Sequence, residues 1–189
     1  MTSYFQGVFD GQGHTISGLS ITSTSEYACL FGYSTGMSVK NVVLDESCSI
    51  VGSFSSSEGY TYVAGFVGHC TATTESCNIE NNVNLGSVTF DGVNENLNLG
   101  GIASQLSSSA SYTSTVRNCV NYGPLTHSGT NNFVSNIGGI VGAFDETEYS
   151  KYVQNCANYG TITSSGTISI FYHKLGLLDT AGMPPLRTA

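Results

Sequence analysis

Charged side chains are scarce in this sequence. They make up 10% of its 189 residues, against about a quarter in an average soluble protein. Only five are basic, Lys40, Arg117, Lys151, Lys174 and Arg187, against 13 acidic ones. Neutralising phosphates takes clustered Lys and Arg, so a nucleic-acid partner is not expected. Tryptophan is missing and proline occurs three times. No apolar run reaches the 18 residues or so that a membrane-spanning helix requires, so no membrane insertion is expected. The first residues, Met1 to Gly7, carry neither the basic start nor the apolar stretch of a signal peptide. They suit an intracellular protein or a piece of a longer one. Six cysteines are too few for a disulfide-dense scaffold and form no Cys-x-x-Cys pair, so a zinc site is not expected.

In place of charge there are hydroxyls and amides: Ser, Thr and Asn fill 62 positions, alongside 23 Gly, 11 Tyr and 9 Phe. Such side chains compete with helical hydrogen bonds and favour short strands and tight turns. The chain also repeats itself. Ala64-Gly-Phe-Val-Gly68, Gly100-Gly-Ile-Ala-Ser104 and Gly138-Gly-Ile-Val-Gly142 align, with Cys29-Leu-Phe-Gly32 in the same slot. Between them runs a second track: Val39-Lys-Asn-Val42, Ile79-Glu-Asn-Asn-Val-Asn-Leu-Gly86, Val116-Arg-Asn-Cys-Val-Asn-Tyr-Gly123 and Val153-Gln-Asn-Cys-Ala-Asn-Tyr-Gly160. Both tracks return a period of roughly 37 residues, the mark of a solenoid.

Each repeat holds three β-like stretches, for example Val116 to Val120, Pro124 to Thr126 and Ile137 to Phe144, separated by Gly, Ser and Asn clusters. Three strands and three corners make one turn of a coil whose backbone bonds to the turns before and after. The fold expected is all-β: a right-handed parallel β-helix of four to five turns, with three short strands per turn. It occupies residues 1–166, and a non-repeat tail or cap occupies 167–189. Corner loops are expected at Ser53 to Tyr60, Leu106 to Ser114 and Asp145 to Tyr152. Asn41, Asn81, Asn118 and Asn155 share one repeat position and suit a ladder of stacked amides at a bend. Phe31, Val67, Ala103 and Val141 share another and suit a core column. In the tail, Leu175, Leu177 and Leu178 suit a cap over the last turn, and Pro184 and Pro185 forbid a long helix.

The opening Phe5-Gln-Gly-Val-Phe-Asp-Gly-Gln-Gly-His-Thr-Ile-Ser-Gly-Leu-Ser-Ile21, followed by Cys29-Leu-Phe-Gly-Tyr33, resembles GLUG-type repeat regions of large secreted or surface proteins of bacteria and some protists. The Gly-Gly-Ile-Val-Gly and Asn-Cys-Val-Asn-Tyr-Gly segments resemble the same repeats, so the likeness covers about residues 4 to 166. It implies a coil akin to the pectin-lyase-like β-helix, an extracellular or cell-surface location, a role in adhesion or surface architecture, and no catalytic residues. It also implies a capping segment ahead of the opening phrase, so an N-terminal truncation is expected, with an open end able to self-associate.

The chemistry-bearing residues give few constellations. Cys119 and Cys156 share a repeat position and suit stacked thiols in the core. Cys70 and Cys77 bracket six residues and form the disulfide candidate for an oxidising compartment. Asp145, Glu146 and Glu148 cluster in one corner loop, where a solvated acidic turn stands against a calcium site. The Asp10 carboxylate is expected to close a turn. His14, His69, His127 and His173 fall at unrelated repeat positions, and no nucleophile elbow or phosphate loop is present. Tyr122 and Tyr159 share a position. Facing inward they are core; facing outward they offer an aromatic strip for sugar rings. A non-enzymatic adhesion or display module, without cofactor and with glycans or cell-surface proteins as partners, is the first expectation. A carbohydrate-binding or polysaccharide-degrading β-helix is the second. Ice binding is the third, against which the lack of a strict Thr-x-Thr track counts.

Overall fold

The computed structural model describes residues 4–55, 59–145 and 149–172. Among them there is no helix. The first layer holds β1 (Gly7–Asp10), β2 (Thr15–Ile16), β3 (Ser20–Ser23), β4 (Tyr27–Ala28) and β5 (Phe31–Ser34). The second holds β6 (Met37–Lys40), β7 (Val43–Leu44), β8 (Ser49–Gly52), β9 (Tyr60–Ala64) and β10 (Val67–Ala72). The third holds β11 (Cys77–Glu80), β12 (Val83–Asn84), β13 (Ser87–Phe90), β14 (Val93–Gly100) and β15 (Ala103–Ser108). The fourth holds β16 (Ser114–Arg117), β17 (Val120–Asn121), β18 (Leu125–His127), β19 (Thr130–Gly138) and β20 (Val141–Phe144). The last holds β21 (Lys151–Gln154), β22 (Ala157–Asn158), β23 (Ile162–Ser164) and β24 (Thr167–Tyr172).

Equivalent strands of successive layers pair in parallel, which makes a β-solenoid. Sheets I to IV begin at β1, β2, β3 and β4 and hold five strands each, and sheet V begins at β5 and holds four. Each of the first four layers therefore has five strands and the last has four among the described residues, which corrects the expected three. Two bends hidden in the sequence explain the difference. Asn118 takes a left-handed φ of 53° and splits Val116–Val120 into β16 and β17. Gly139 and Ile140 split Ile137–Phe144 into β19 and β20. The expected four to five turns become about three enclosed ones, because the opening and closing layers have neighbours on one side only. Backbone pairing needs no repeated side chains, so β24 continues sheet IV past residue 166, the boundary drawn from the repeats. The remainder of the tail, with Leu175, Leu177, Leu178 and His173, lies outside the described residues.

The two sequence tracks explain one another across the coil. Asn84, Asn121 and Asn158 form a ladder, buried at Asn84 and Asn121 and partly buried at Asn158, with Asn84 Nδ2 donating to Asn121 Oδ1 at 2.8 Å and Asn121 Nδ2 to Asn158 Oδ1 at 2.7 Å. Their amides press on the glycine bends. A Cβ on Gly101 would stand 2.6 Å from Asn121 Cγ and 2.2 Å from the Gly139 carbonyl oxygen. On Gly139 it would stand 2.4 Å from Asn158 Cγ. Glycine recurs there because the facing amide takes the space. The core runs in files such as Phe9–Val39–Ile79–Val116–Val153 and Ile21–Ile50–Val88–Leu125–Ile162. Members in the middle layers are fully buried, whereas Phe9, Ile21, Val153 and Ile162 at the ends are partly exposed. Phe31, Val67, Ala103 and Val141 lie in one register file.

Candidate functional site

Asn41, Asn81, Asn118 and Asn155 all adopt φ between 52° and 57°. Asparagine tolerates this left-handed region, which strains residues with larger side chains. Each amide donates to the one below: Asn81 to Asn41 and Asn118 to Asn81, both at 3.1 Å, and Asn155 to Asn118 at 3.3 Å. At the foot, Asp10 Oδ1 accepts from Asn41 Nδ2 and from the Gln12 backbone N–H, each at 2.9 Å. These bonds, the Asn41 amide foremost, hold the Asp10 carboxyl below the usual carboxylate range. Asp10, Lys40, Glu80 and Arg117 stand in register with alternating charge. Lys40 pairs with Asp10 at 3.5 Å and Arg117 with Glu80 at 2.9 Å. The sequence concealed this column, since its members lie 30 to 40 residues apart.

Cys70 and Cys77 form a disulfide joining β10 to β11. Cys119 and Cys156 are free, buried and stacked, with the Cys119 backbone N–H 3.4 Å from Cys156 Sγ. A hydrogen bond to Cys156, then burial, holds the Cys119 thiol protonated well above its ordinary range. Asp145 accepts from the Lys151 ammonium, which is only 9% exposed. A calcium ion there would have to displace that cation. Glu146 and Glu148, the other proposed ligands, lie outside the described residues. Among the described residues no three His, Cys, Asp or Glu converge as a metal site.

Tyr122 and Tyr159 face outward, 51% and 68% exposed, with ring centroids 5.1 Å apart and planes at 19°. Coplanar rings would clash at that separation, so the pair is shingled up the column rather than laid as a flat strip.

A larger aromatic cluster among the described residues lies where sheets IV and V meet. Tyr62 of β9 stacks on His69 of β10, with centroids 5.1 Å apart. One layer up, Asn98 Nδ2 donates to Gln105 Oε1 at 2.7 Å. Outward side chains seven positions apart thus touch across the glycine bend, so the coil is re-entrant here. Tyr27 stacks on Tyr62 at 5.0 Å, and Tyr33 meets His69 edge-on at 5.2 Å. Above them Asn136 Nδ2 donates to Asn98 Oδ1 at 2.8 Å. His69 Nε2 also lies 2.9 Å from Ser107 Oγ and 3.1 Å from Thr71 Oγ1. Burial pushes the His69 pKa down to about 4, with Asp145 pulling weakly the other way. The corner is a wall of phenols and one neutral imidazole that grades into amides. The sequence assigned His69 no repeat role. The signal was a register count: Tyr62, Asn98 and Asn136 recur at the spacing of the Gly-Gly track, as do His69, Gln105 and Ala143.

No family model, curated protein or solved structure matches this chain. No helix among the described residues is long and apolar enough to cross a membrane.

Proposed function

We propose that this chain is a right-handed parallel β-helix module of a GLUG-type secreted or surface protein, and that it serves adhesion or display without catalysing a reaction. One observation carries this. Among the described residues, six of the eight exposed large hydrophobic side chains are tyrosines: Tyr4, Tyr60, Tyr122, Tyr149, Tyr152 and Tyr159. A phenol offers an apolar face and a hydroxyl with few rotamers to freeze, which makes it a good contact for glycans and proteins. The described aspartates are meanwhile engaged with neighbours: Asp10 with Asn41, Asp45 with Ser47, Asp91 with Ser53 and Asp145 with Lys151. The test is binding of the full chain to a glycan array and to cells, with and without Tyr122→Ala and Tyr159→Ala. Binding that falls at least tenfold in the double variant, with the β-sheet circular dichroism unchanged, supports the proposal. Reproducible product release from a panel of acidic and neutral polysaccharides would overturn it in favour of a degrading enzyme.

A second reading, ice binding, is favoured by the outer face of sheet III. Thr22, Val51, Thr89, Thr126 and Thr163 form one register file. Beside it Ser20, Ser49 and Ser87 are in register, and Pro124 and Thr161 continue the file. Small hydroxyls repeat there at the strand spacing of about 4.8 Å, on rigid, uncharged backbone. A measurable thermal hysteresis, lost in Thr89→Tyr and Thr126→Tyr, is the outcome this reading requires.

A further inference from the structure

Below the aromatic corner, at the first-layer edge of sheets IV and V, lies a cavity of about 460 Å³. Tyr4, Phe5, Tyr27, Phe31 and Tyr33 supply rings to its lining, and Glu26 is the acidic residue among them. The rings stand at steep angles to one another: Tyr4 meets Tyr33 at 62° with centroids 4.7 Å apart, and Tyr27 meets Tyr33 at 61° and 6.4 Å. Tyr27 also stacks on Tyr62 and Tyr33 also meets His69 edge-on, so the lining rings are held in place by their neighbours in the aromatic corner. Among the described residues no Lys, Arg, His, Asn or Gln lines the cavity, and the chain carries a net charge of −8. The Glu26 charge is felt on these rings. Burial first, and Glu26 next, push the Tyr27 phenol well above its ordinary range and the Tyr62 phenol up to about 12.

Each feature excludes a class of ligand. An anion would meet Glu26 and no compensating cation. A sugar is commonly gripped by several in-plane amides, and among the described residues the lining offers phenols and one carboxylate but no amide side chain. A fully apolar ligand would leave the carboxylate without a role. A cation with an apolar surface satisfies both elements, because the negative faces of aromatic rings attract it and the carboxylate neutralises it. We infer that this cavity binds a quaternary or N-methylated alkylammonium group, held against the faces of Tyr27 and Tyr33 with Glu26 as its counter-ion. The site is separate from Tyr122 and Tyr159, so it stands or falls independently of the glycan contact proposed for them.

The test titrates the full chain with choline, with tetramethylammonium and with 3,3-dimethylbutan-1-ol, the uncharged carbon isostere of choline, by calorimetry and tyrosine fluorescence. The expected result is saturable binding of both cations, with choline preferred over the isostere by about tenfold, the range a partly desolvated cation–π contact supports. Glu26→Gln should reduce that preference, through loss of the counter-ion, while leaving the isostere's affinity unchanged. Tyr33→Leu, which keeps the apolar volume, should weaken both cations about tenfold with the circular dichroism unchanged. Equal affinity for choline and its isostere would overturn the inference, and so would a lack of saturable binding by either cation. β4 and β5 also end their sheets, so a second chain could pair there instead. Self-association by sedimentation that choline leaves unchanged, together with no choline binding, would assign the cavity to that strand and reject the ammonium site.

Discussion

At the scale of single residues, the same amino acid does two different jobs one turn of backbone apart. Asn118 is exposed and selected for its left-handed φ, whereas Asn121 is fully buried and selected for its amide. Asn118→Gly should cost only a few tenths of a kcal/mol and Asn118→Ala about 1 kcal/mol, since alanine pays the left-handed penalty. Asn121→Ala should cost more, roughly 2–4 kcal/mol, because it strands the Asn158 amide oxygen and the Gly123 carbonyl that Asn121 now satisfies. Urea denaturation of the three variants checks this order. His69 gives a pH dependence whose sign is fixed by burial. Its folded pKa of about 4 lies below the ordinary 6.5, so the folded state refuses a proton that the unfolded chain accepts. The associated stability is complete above pH 6.5 and disappears as pH falls to about 4, a loss of at most about 3 kcal/mol. Relative to His69→Gln, which carries no titrating group there, wild type should lose up to about 3 kcal/mol across that window, read from denaturation midpoints at its two ends.

At the scale of elements, the glycine bend between sheets IV and V and the Cys70–Cys77 link define how one layer passes to the next. The disulfide joins the last strand of the second layer to the first strand of the third. Its loop also rests on the layer below, Thr74 Oγ1 donating to the Thr35 carbonyl at 2.6 Å. Closing so short a loop in the unfolded chain is worth about 2.5 kcal/mol. Reduction, or Cys70→Ala with Cys77→Ala, should lower the stability by roughly that amount while leaving the circular dichroism of the fold intact. The neighbouring bend was half legible. Its glycines recur in the sequence, but which way the bend turns follows from the Asn121 and Asn158 amides pressing on Gly101 and Gly139 from across the coil. That contact lies between residues about 20 positions apart, and no local pattern announces it.

At the scale of the whole molecule, stability is a sum over neighbouring layers, so the same substitution should matter more in the middle than at an end. Ile79 in β11 is fully buried between two layers, whereas Ile162 in β23 has a layer on one side only and is partly exposed. Ile79→Ala should cost about 3–4 kcal/mol and Ile162→Ala about half of that, and amide exchange should be slowest in the third layer. The sequence by itself determined the period, the parallel stacking and the identity of the residues that stand over one another, because side chains that must meet their own kind one layer away recur at a fixed interval. Only the tertiary structure decided that a complete layer has five strands, that side chains of sheets IV and V meet across the glycine bend, and that Tyr27, Tyr33, Tyr62 and His69 share one cluster. The physical reason is that a repeat records which neighbours lie above and below, whereas the direction of each bend is set by packing across the coil, between residues that belong to different tracks.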